Sequence, residues 1–148
     1  MKKIIVSLAV ALLAVFGSVS PTEAAWHWIT STDKFNFYAN DEGARKIDRN
    51  SFSGYVWIKP AQYVLDDMIA NGMDSRVTGF VCMATFTFNN MTVVCDRFVA
   101  FDKYGKVVQD ASSKDFIIPS SFKEQPWRGI SSAIWVYSDI YGNGSPVN

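Results

Sequence analysis

The sequence predicts an α+β domain: an antiparallel meander sheet of about five to six strands with two helices packed against it. Two observations support this fold class. From Val77 to Phe101, apolar side chains recur at every second position on either side of Asn89-Asn90, which is typical of two paired strands. Apolar side chains instead recur three and four positions apart in residues 60–71 and 131–141, which is typical of amphipathic helices.

The stretch around the Asn-Asn pair predicts a β-hairpin. Asparagine tolerates positive φ and therefore suits the centre of a two-residue hairpin turn. Closing that turn pairs Phe88 with Met91. Further along the strands it pairs Ala84 with Cys95, and Cys82 then lies on the same apolar face. The other predicted strands cover residues 26–29, 35–38, 55–59 and 107–109, with one short strand near residues 46–48.

The first predicted helix, residues 60–71, has both a start and a stop signal. Pro60 suits the first helical position, and Asn71-Gly72 suits the end. Asp66 and Asp67 lie about 100° apart on its solvated side, so they do not converge as a catalytic pair. The apolar stripe consists of Ala61, Val64, Leu65, Met68 and Ile69. The surface expected to receive it is the hairpin face that bears Phe80, Phe86, Val93 and Val99.

The second predicted helix, residues 131–141, follows a long connection at residues 111–129. Ser131 or Ser132 is expected to cap its N-terminus, because a serine hydroxyl can accept a hydrogen bond from an unpaired N–H group of the first turn. Its apolar stripe consists of Ile130, Ala133, Ile134, Tyr137 and either Ile140 or Tyr141.

Composition indicates one folded domain. The chain has 148 residues, of which 49% are hydrophobic, 15% aromatic and 19% charged, so it can bury a substantial core. Its formal net charge is zero, and no basic patch indicates a nucleic-acid partner.

The N-terminus predicts export. Met1-Lys2-Lys3 is a short positive segment, residues 4–19 are mostly apolar, and small residues follow. We expect residues 1–24 to be a signal peptide, with cleavage after Ala24 or, alternatively, after Ala25. A retained transmembrane helix is disfavoured because about 16 apolar residues fall short of the roughly 20 that a bilayer needs. Residues 25–148 should then form a single exported α+β domain without a membrane span, located in the periplasm, at the cell surface or outside the cell.

Export makes a disulfide between Cys82 and Cys95 the expected state, because an even number of cysteines in an oxidising compartment favours pairing. The hairpin register decides the geometry: a two-residue turn makes the two cysteines diagonal neighbours, whereas a four-residue loop sets them directly opposite. Two buried thiols are the alternative. Two cysteines and the single histidine, His27, do not make a four-ligand zinc site.

The sequence contains no recognisable catalytic constellation. A Ser/His/Asp arrangement would have to use His27, and no Gly-x-Ser-x-Gly segment is present. We therefore predict no catalytic residue, no cofactor and no metal site. The candidate binding residues are the aromatic side chains of Trp26, Trp28 and Trp127, since an aromatic ring offers an apolar face to a sugar. Two coplanar exposed rings among them would favour carbohydrate binding.

Several short segments carry a resemblance to a known family. They are Trp28-Ile29 before an aromatic strand that ends at Tyr38, the acidic turn at Asp41, Val56-Trp57-Ile58-Lys59, the stretch from Phe101 to Val108, and Pro126-Trp127-Arg128-Gly129-Ile130. Together they resemble the surface-adhesin protein E family of small exported bacterial domains. The resemblance implies an antiparallel sheet with packed helices, and adhesion to host or cell-surface proteins.

These observations favour an exported, non-enzymatic binding domain, with the surface-adhesin activity as what the resemblance implies. The alternative is a carbohydrate or cell-wall binding module that uses exposed aromatic side chains. The exposure of the three tryptophans separates the two interpretations.

Overall fold

The protein is described by a computed structural model that covers residues 26–110 and 120–140. The predicted signal peptide, residues 1–24, lies outside these ranges. The α+β class is confirmed: the described residues form one eight-stranded antiparallel sheet and two helices. In chain order the elements are β1 (Trp26–Ser31), β2 (Phe35–Asn40), β3 (Arg45–Lys46), β4 (Ser51–Pro60), α1 (Gln62–Ala70), β5 (Gly79–Thr87), β6 (Thr92–Phe101), β7 (Val107–Asp110), β8 (Ser120–Ser121) and α2 (Trp127–Ile140).

The sheet is a meander with two short additions. Its main path runs β1-β2-β4-β5-β6-β7, and with the two additions the sheet is slightly larger than the five to six strands predicted. The two-residue strands β3 and β8 pair with β4 and β6, respectively. Among the described residues, neither α1 nor α2 combines the length and apolarity that crossing a membrane requires.

The predicted hairpin register is confirmed. Strands β5 and β6 pair Ala84 with Cys95 and end at the pair Thr87 and Thr92. In the loop between them, the N–H of Met91 donates to the carbonyl of Phe88 at 3.2 Å. The positive φ of this turn, 54°, occurs at Met91 and not at an asparagine.

A β-bulge interrupts the same hairpin. Met83 pairs with Arg97 while the next residue, Ala84, pairs with Cys95, so β6 carries one extra residue. The bulge reverses the alternation of faces along β6. Cys95 therefore packs in the cluster that contains Ile134, whereas Val99 packs with Trp26 on the other side of the sheet. The expectation that Val99 shares a face with Phe86 and Val93 was wrong for this reason.

The predicted disulfide is also wrong. Cys82 and Cys95 are both buried in one core cluster, as expected from the shared face, but no disulfide joins them. Cys82 lies opposite Phe98, and Cys95 lies opposite Ala84, so the two cysteines are offset along the strands. A disulfide needs the two Cβ atoms about 3.5–4.5 Å apart, a spacing that directly opposed residues provide more readily than offset ones.

The absence of this disulfide should be measurable. Alkylation of the denatured protein without reductant is expected to modify both thiols, and the thermal midpoint of unfolding should be the same with and without dithiothreitol. Protein reduced before alkylation is the control and should have the same mass. An unmodified, reductant-sensitive species in fully folded material would contradict the observed register.

Helix α2 covers one face of the sheet. Ile130 and Ile134, both fully buried, pack against side chains from β2, β4, β5 and β6. The helix approaches β4 closely at Gly54, where a Cβ atom would lie 2.8 Å from Cγ2 of Ile134. The sheet contribution to this cluster is Phe37, Ala39, Phe52, Val56, Cys82, Ala84, Phe86, Val93 and Cys95.

The start of α2 differs from the prediction. The helix begins at Trp127, four positions before the expected start at residue 131. Ser131 and Ser132 therefore lie inside the helix, and their hydroxyls donate to the carbonyl of Arg128 at 2.9 and 3.0 Å. The serines bond back to the preceding turn and do not cap the N-terminus.

Helix α1 packs through its predicted stripe, but on a smaller surface than expected. Leu65 is 7% exposed and packs with Val77 and Ala100, with Phe80 at the edge of the cluster. Phe86 and Val93, which were expected to receive this helix, lie under α2. The prediction that Pro60 occupies the first helical position was wrong. Pro60 ends β4, Ala61 with a ψ of 154° is the N-cap, and the helix begins at Gln62.

Candidate functional site

A row of aromatic side chains crosses the sheet on the face opposite α2. The register pairs Trp28 with Tyr38, Tyr38 with Trp57, and Trp57 with Val81. Directly paired residues point to the same side of a sheet, so these side chains form one surface. We call it the aromatic face, and its rings are those of Trp26, Trp28, Tyr38, Tyr55 and Trp57.

Trp57 lies at the centre of the aromatic face. Its ring centroid is 4.9 Å from that of Tyr38, with 33° between the ring planes, and 5.8 Å from that of Trp26 in an edge-on arrangement. Gly79 on the neighbouring strand makes room for it: a Cβ atom there would lie 2.8 Å from Nε1 of Trp57. The glycine thus allows the indole to lie against β5, and the neighbouring rings hold its orientation.

A pocket of about 630 Å³ lies on the aromatic face. Its walls come from the sheet, from the first turns of α1 and from the loop between β6 and β7, and five of the lining side chains are aromatic. Its lining residues from the sheet include Trp26, Tyr38, Trp57, Lys59, Val81 and Phe101. The sheet also contributes Pro60 and Gly79, and the remaining wall includes Gln62, Leu65, Thr78, Asp102, Lys103, Tyr104 and Gly105.

The β6–β7 loop is held in shape by Asp102. Its Oδ1 accepts hydrogen bonds from the backbone N–H groups of Tyr104 and Lys106 at 2.8 and 2.9 Å. Gly105 has a φ of 82°, as the turn predicted around this glycine requires. Tyr104 is 77% exposed, so its ring forms an exposed part of the pocket wall.

The structure separates the three tryptophans singled out in the sequence. Trp26 is buried and lines the pocket, and Trp28 is 59% exposed on the same face, where its Nε1 donates to Oγ of Ser31. Trp127 is half-buried on the opposite side of the sheet, 6.2 Å from Phe37 between ring centroids. Two of the three therefore share a face, but only Trp28 exposes most of its surface.

Sequence reasoning missed Tyr38 and Trp57 as site residues. Both were interpreted only as residues of the predicted strands at 35–38 and 55–59. A signal was present, because Phe37 with Ala39 and Val56 with Ile58 already provide the core-facing positions. An aromatic residue between two such positions points to the other face.

His27 forms a pair with Asp41 outside the pocket. Its Nε2 lies 2.7 Å from Oδ2 of Asp41, and its ring centroid lies 5.5 Å from that of Tyr137 on α2. The side chain of His27 is thus 43% exposed and contacts both Asp41 and Tyr137. In the part of the chain that the structure describes, no group of three or more His, Cys, Asp or Glu side chains is placed to hold a metal ion.

Among the described residues, the largest shift of a pKa occurs in the segment between α1 and β5. Asp74 accepts hydrogen bonds from Nε and Nη2 of Arg76 at 3.0 and 2.8 Å, and these bonds lower the pKa of its carboxyl to about 2. The same contact raises the pKa of Arg76, to which the charge of Asp102 adds. Both groups are solvent-exposed, so this pair shapes the loop and adds little to stability.

Comparisons of the chain with protein-family models, with curated proteins and with solved structures found no match.

Proposed function

We propose that this chain is an exported, non-enzymatic binding domain whose ligand binds in the pocket of the aromatic face. The observation that carries the proposal is the concentration of five aromatic side chains around a pocket of about 630 Å³. Ligand pockets in proteins are typically about 300–1,000 Å³, with mostly apolar walls and a few polar groups that orient the ligand. The core under α2 does not need these rings, because it is formed by a different set of side chains.

Adhesion to a host or cell-surface protein is the form of binding that the resemblance to the surface-adhesin protein E family implies. Exposed aromatic side chains beside the pocket support it, since tyrosine and tryptophan are enriched at protein interfaces. Tyr104 and Trp28 are the two such residues, with 77% and 59% of their surfaces exposed. In this proposal a partner side chain enters the pocket and the exposed rings contact the surrounding partner surface.

Carbohydrate binding is the second candidate function. It is supported by Trp28, whose exposed ring lies beside Tyr38 in the same row of the sheet. A sugar ring stacks its CH groups on such a platform and keeps its hydroxyls in water. This site would be at the edge strand β1 and would not require the pocket.

Binding in the pocket can be tested with N-phenyl-1-naphthylamine, a neutral apolar fluorescent probe. We expect saturable binding to one site, weakened on the order of ten-fold by Trp57→Ala because the central ring of the pocket is lost. Trp28→Ala, on the same face but outside the pocket lining, should leave the affinity unchanged. Circular dichroism melting curves establish that both variants fold.

Two results of this experiment would count against the proposal: no saturable binding, or an affinity that Trp57→Ala leaves intact. Titration with tetra-N-acetylchitotetraose tests the second candidate in the same variants. If the sugar binds and Trp28→Ala abolishes its binding, the edge platform is a carbohydrate site.

Export is tested on protein purified from the producing cell. N-terminal sequencing is expected to begin at Ala25 or Trp26, because small residues precede both positions. Protease digestion of intact cells then distinguishes a surface location, which adhesion requires, from a periplasmic one. Recovery of the chain from the membrane fraction with Met1 retained would contradict export as a cleaved protein.

A further inference from the structure

The chemistry of the pocket wall narrows the class of ligand. Besides the aromatic rings, the lining contains five polar or charged side chains. They are Lys59, Gln62, Thr78, Asp102 and Lys103. Whether each of these groups is available to a ligand depends on the hydrogen bonds that it already makes within the protein.

Three of the five are engaged. Nε2 of Gln62 donates to Oδ1 of Asp66 at 2.8 Å, and Oγ1 of Thr78 donates to the carbonyl of Phe101 at 3.2 Å. Oδ1 of Asp102 accepts two backbone N–H groups of its own loop. These bonds use one amide N–H of Gln62, the hydroxyl hydrogen of Thr78 and one carboxylate oxygen of Asp102, so most of the polar atoms left for a ligand on these side chains are acceptor oxygens.

The two lysines are the exception. Lys59 and Lys103 are both exposed, and within the described residues neither forms an ion pair. Nζ of Lys103 lies 5.2 Å from the ring centroid of Tyr104, an arrangement that leaves its N–H groups able to donate to a ligand. Among the described residues of the lining, Asp102 is the only carboxylate, so their charged side chains sum to plus one.

We infer that the pocket selects an amphipathic monoanion, whose apolar body packs among the aromatic rings and whose carboxylate contacts Lys59 and Lys103. The inference rests on the proposed function, since it takes the pocket to be the binding site. A sugar is disfavoured inside the pocket because many of its hydroxyls would lose water against the aromatic rings of the wall. An anionic head near the exposed lysines stays partly hydrated and gains charge-assisted hydrogen bonds.

The experiment compares octanoate with 1-octanol, which share an apolar chain and differ in charge. Isothermal titration of the mature protein is expected to show binding of both. In the double variant Lys59→Gln/Lys103→Gln, octanoate should bind about 2- to 30-fold more weakly, because two exposed charge pairs are lost. The affinity for 1-octanol should not change, and added salt should weaken octanoate binding to the unmodified protein only.

The control is Lys123→Gln, which removes an exposed lysine outside the pocket lining and should change neither affinity. Equal loss of both ligands in the double variant, or an unchanged octanoate affinity, would overturn the charge selection while leaving pocket binding intact. Absence of binding by octanoate, with the neutral naphthylamine probe still bound, would overturn it as well. If no probe binds, the proposed function fails together with the inference.

Discussion

Replacing Phe52 by alanine is expected to lower the free energy of unfolding by about 3–5 kcal/mol, the range for deleting a buried phenylalanine side chain. Phe52 is 1% exposed and lies at the centre of the core under α2. Its ring stacks on that of Phe86 at 4.8 Å and meets that of Trp135 edge-on at 5.1 Å. Because strand β5 holds Phe86 and helix α2 holds Trp135, these neighbours cannot collapse into the space that is left.

Chemical denaturation of the purified variant measures this loss. Tyr104→Ala is the matched control, since it also removes an aromatic ring but from a side chain that is 77% exposed, and it should change stability by no more than about 0.5 kcal/mol. A domain of this size has a total stability of roughly 5–15 kcal/mol, so Phe52→Ala removes a large share of it. Similar denaturation midpoints for the two variants would mean that Phe52 is not in the core.

Replacing Leu65 by alanine is expected to lower the free energy of unfolding by about 2–5 kcal/mol, because removal of the buried side chain leaves a cavity between α1 and the sheet. Leu65 is 7% exposed and packs with Val77 and Ala100. The adjacent Asp66→Ala and Asp67→Ala variants are the controls, and each should change stability by no more than about 0.5 kcal/mol because both side chains are exposed. The same denaturation experiment measures all three.

A neutral Leu65→Ala together with a severe effect of either aspartate change would mean that α1 faces the other way. Leu65 also has a second role to test, because its side chain lines the pocket of the aromatic face as well as the small core under α1. The stability loss should therefore be accompanied by weaker binding of the naphthylamine probe. A loss of stability without any change in probe affinity would place the ligand away from the α1 side of the pocket.

Local sequence patterns determined most of the longer strands, the position of α1 and one register, but not β8 or the start of α2. Alternation of apolar residues marked β5 and β6, and the turn between them defined the pairing of Ala84 with Cys95, because a short loop permits few registers. The helical stripe of α1 identified Leu65 as buried and Asp66 as exposed, since residues three and four apart share a face. These features depend on neighbours within one turn or one hairpin.

The tertiary structure decided which faces meet and where the site lies. Because of the bulge opposite Met83, Val99 lies on the aromatic face, and the residue pattern of β6 does not predict this bulge. Because Gly54 has no side chain, α2 packs closely on one side of β4. Because Gly79 has none either, the indole of Trp57 packs closely on the other side of the sheet. Both glycine contacts join segments that are far apart in sequence. The periodicity of apolar residues within one segment therefore does not predict them. For this reason Tyr38 and Trp57 look like ordinary strand residues in the sequence and become neighbours in a pocket only when β1, β2, β4 and β5 are assembled.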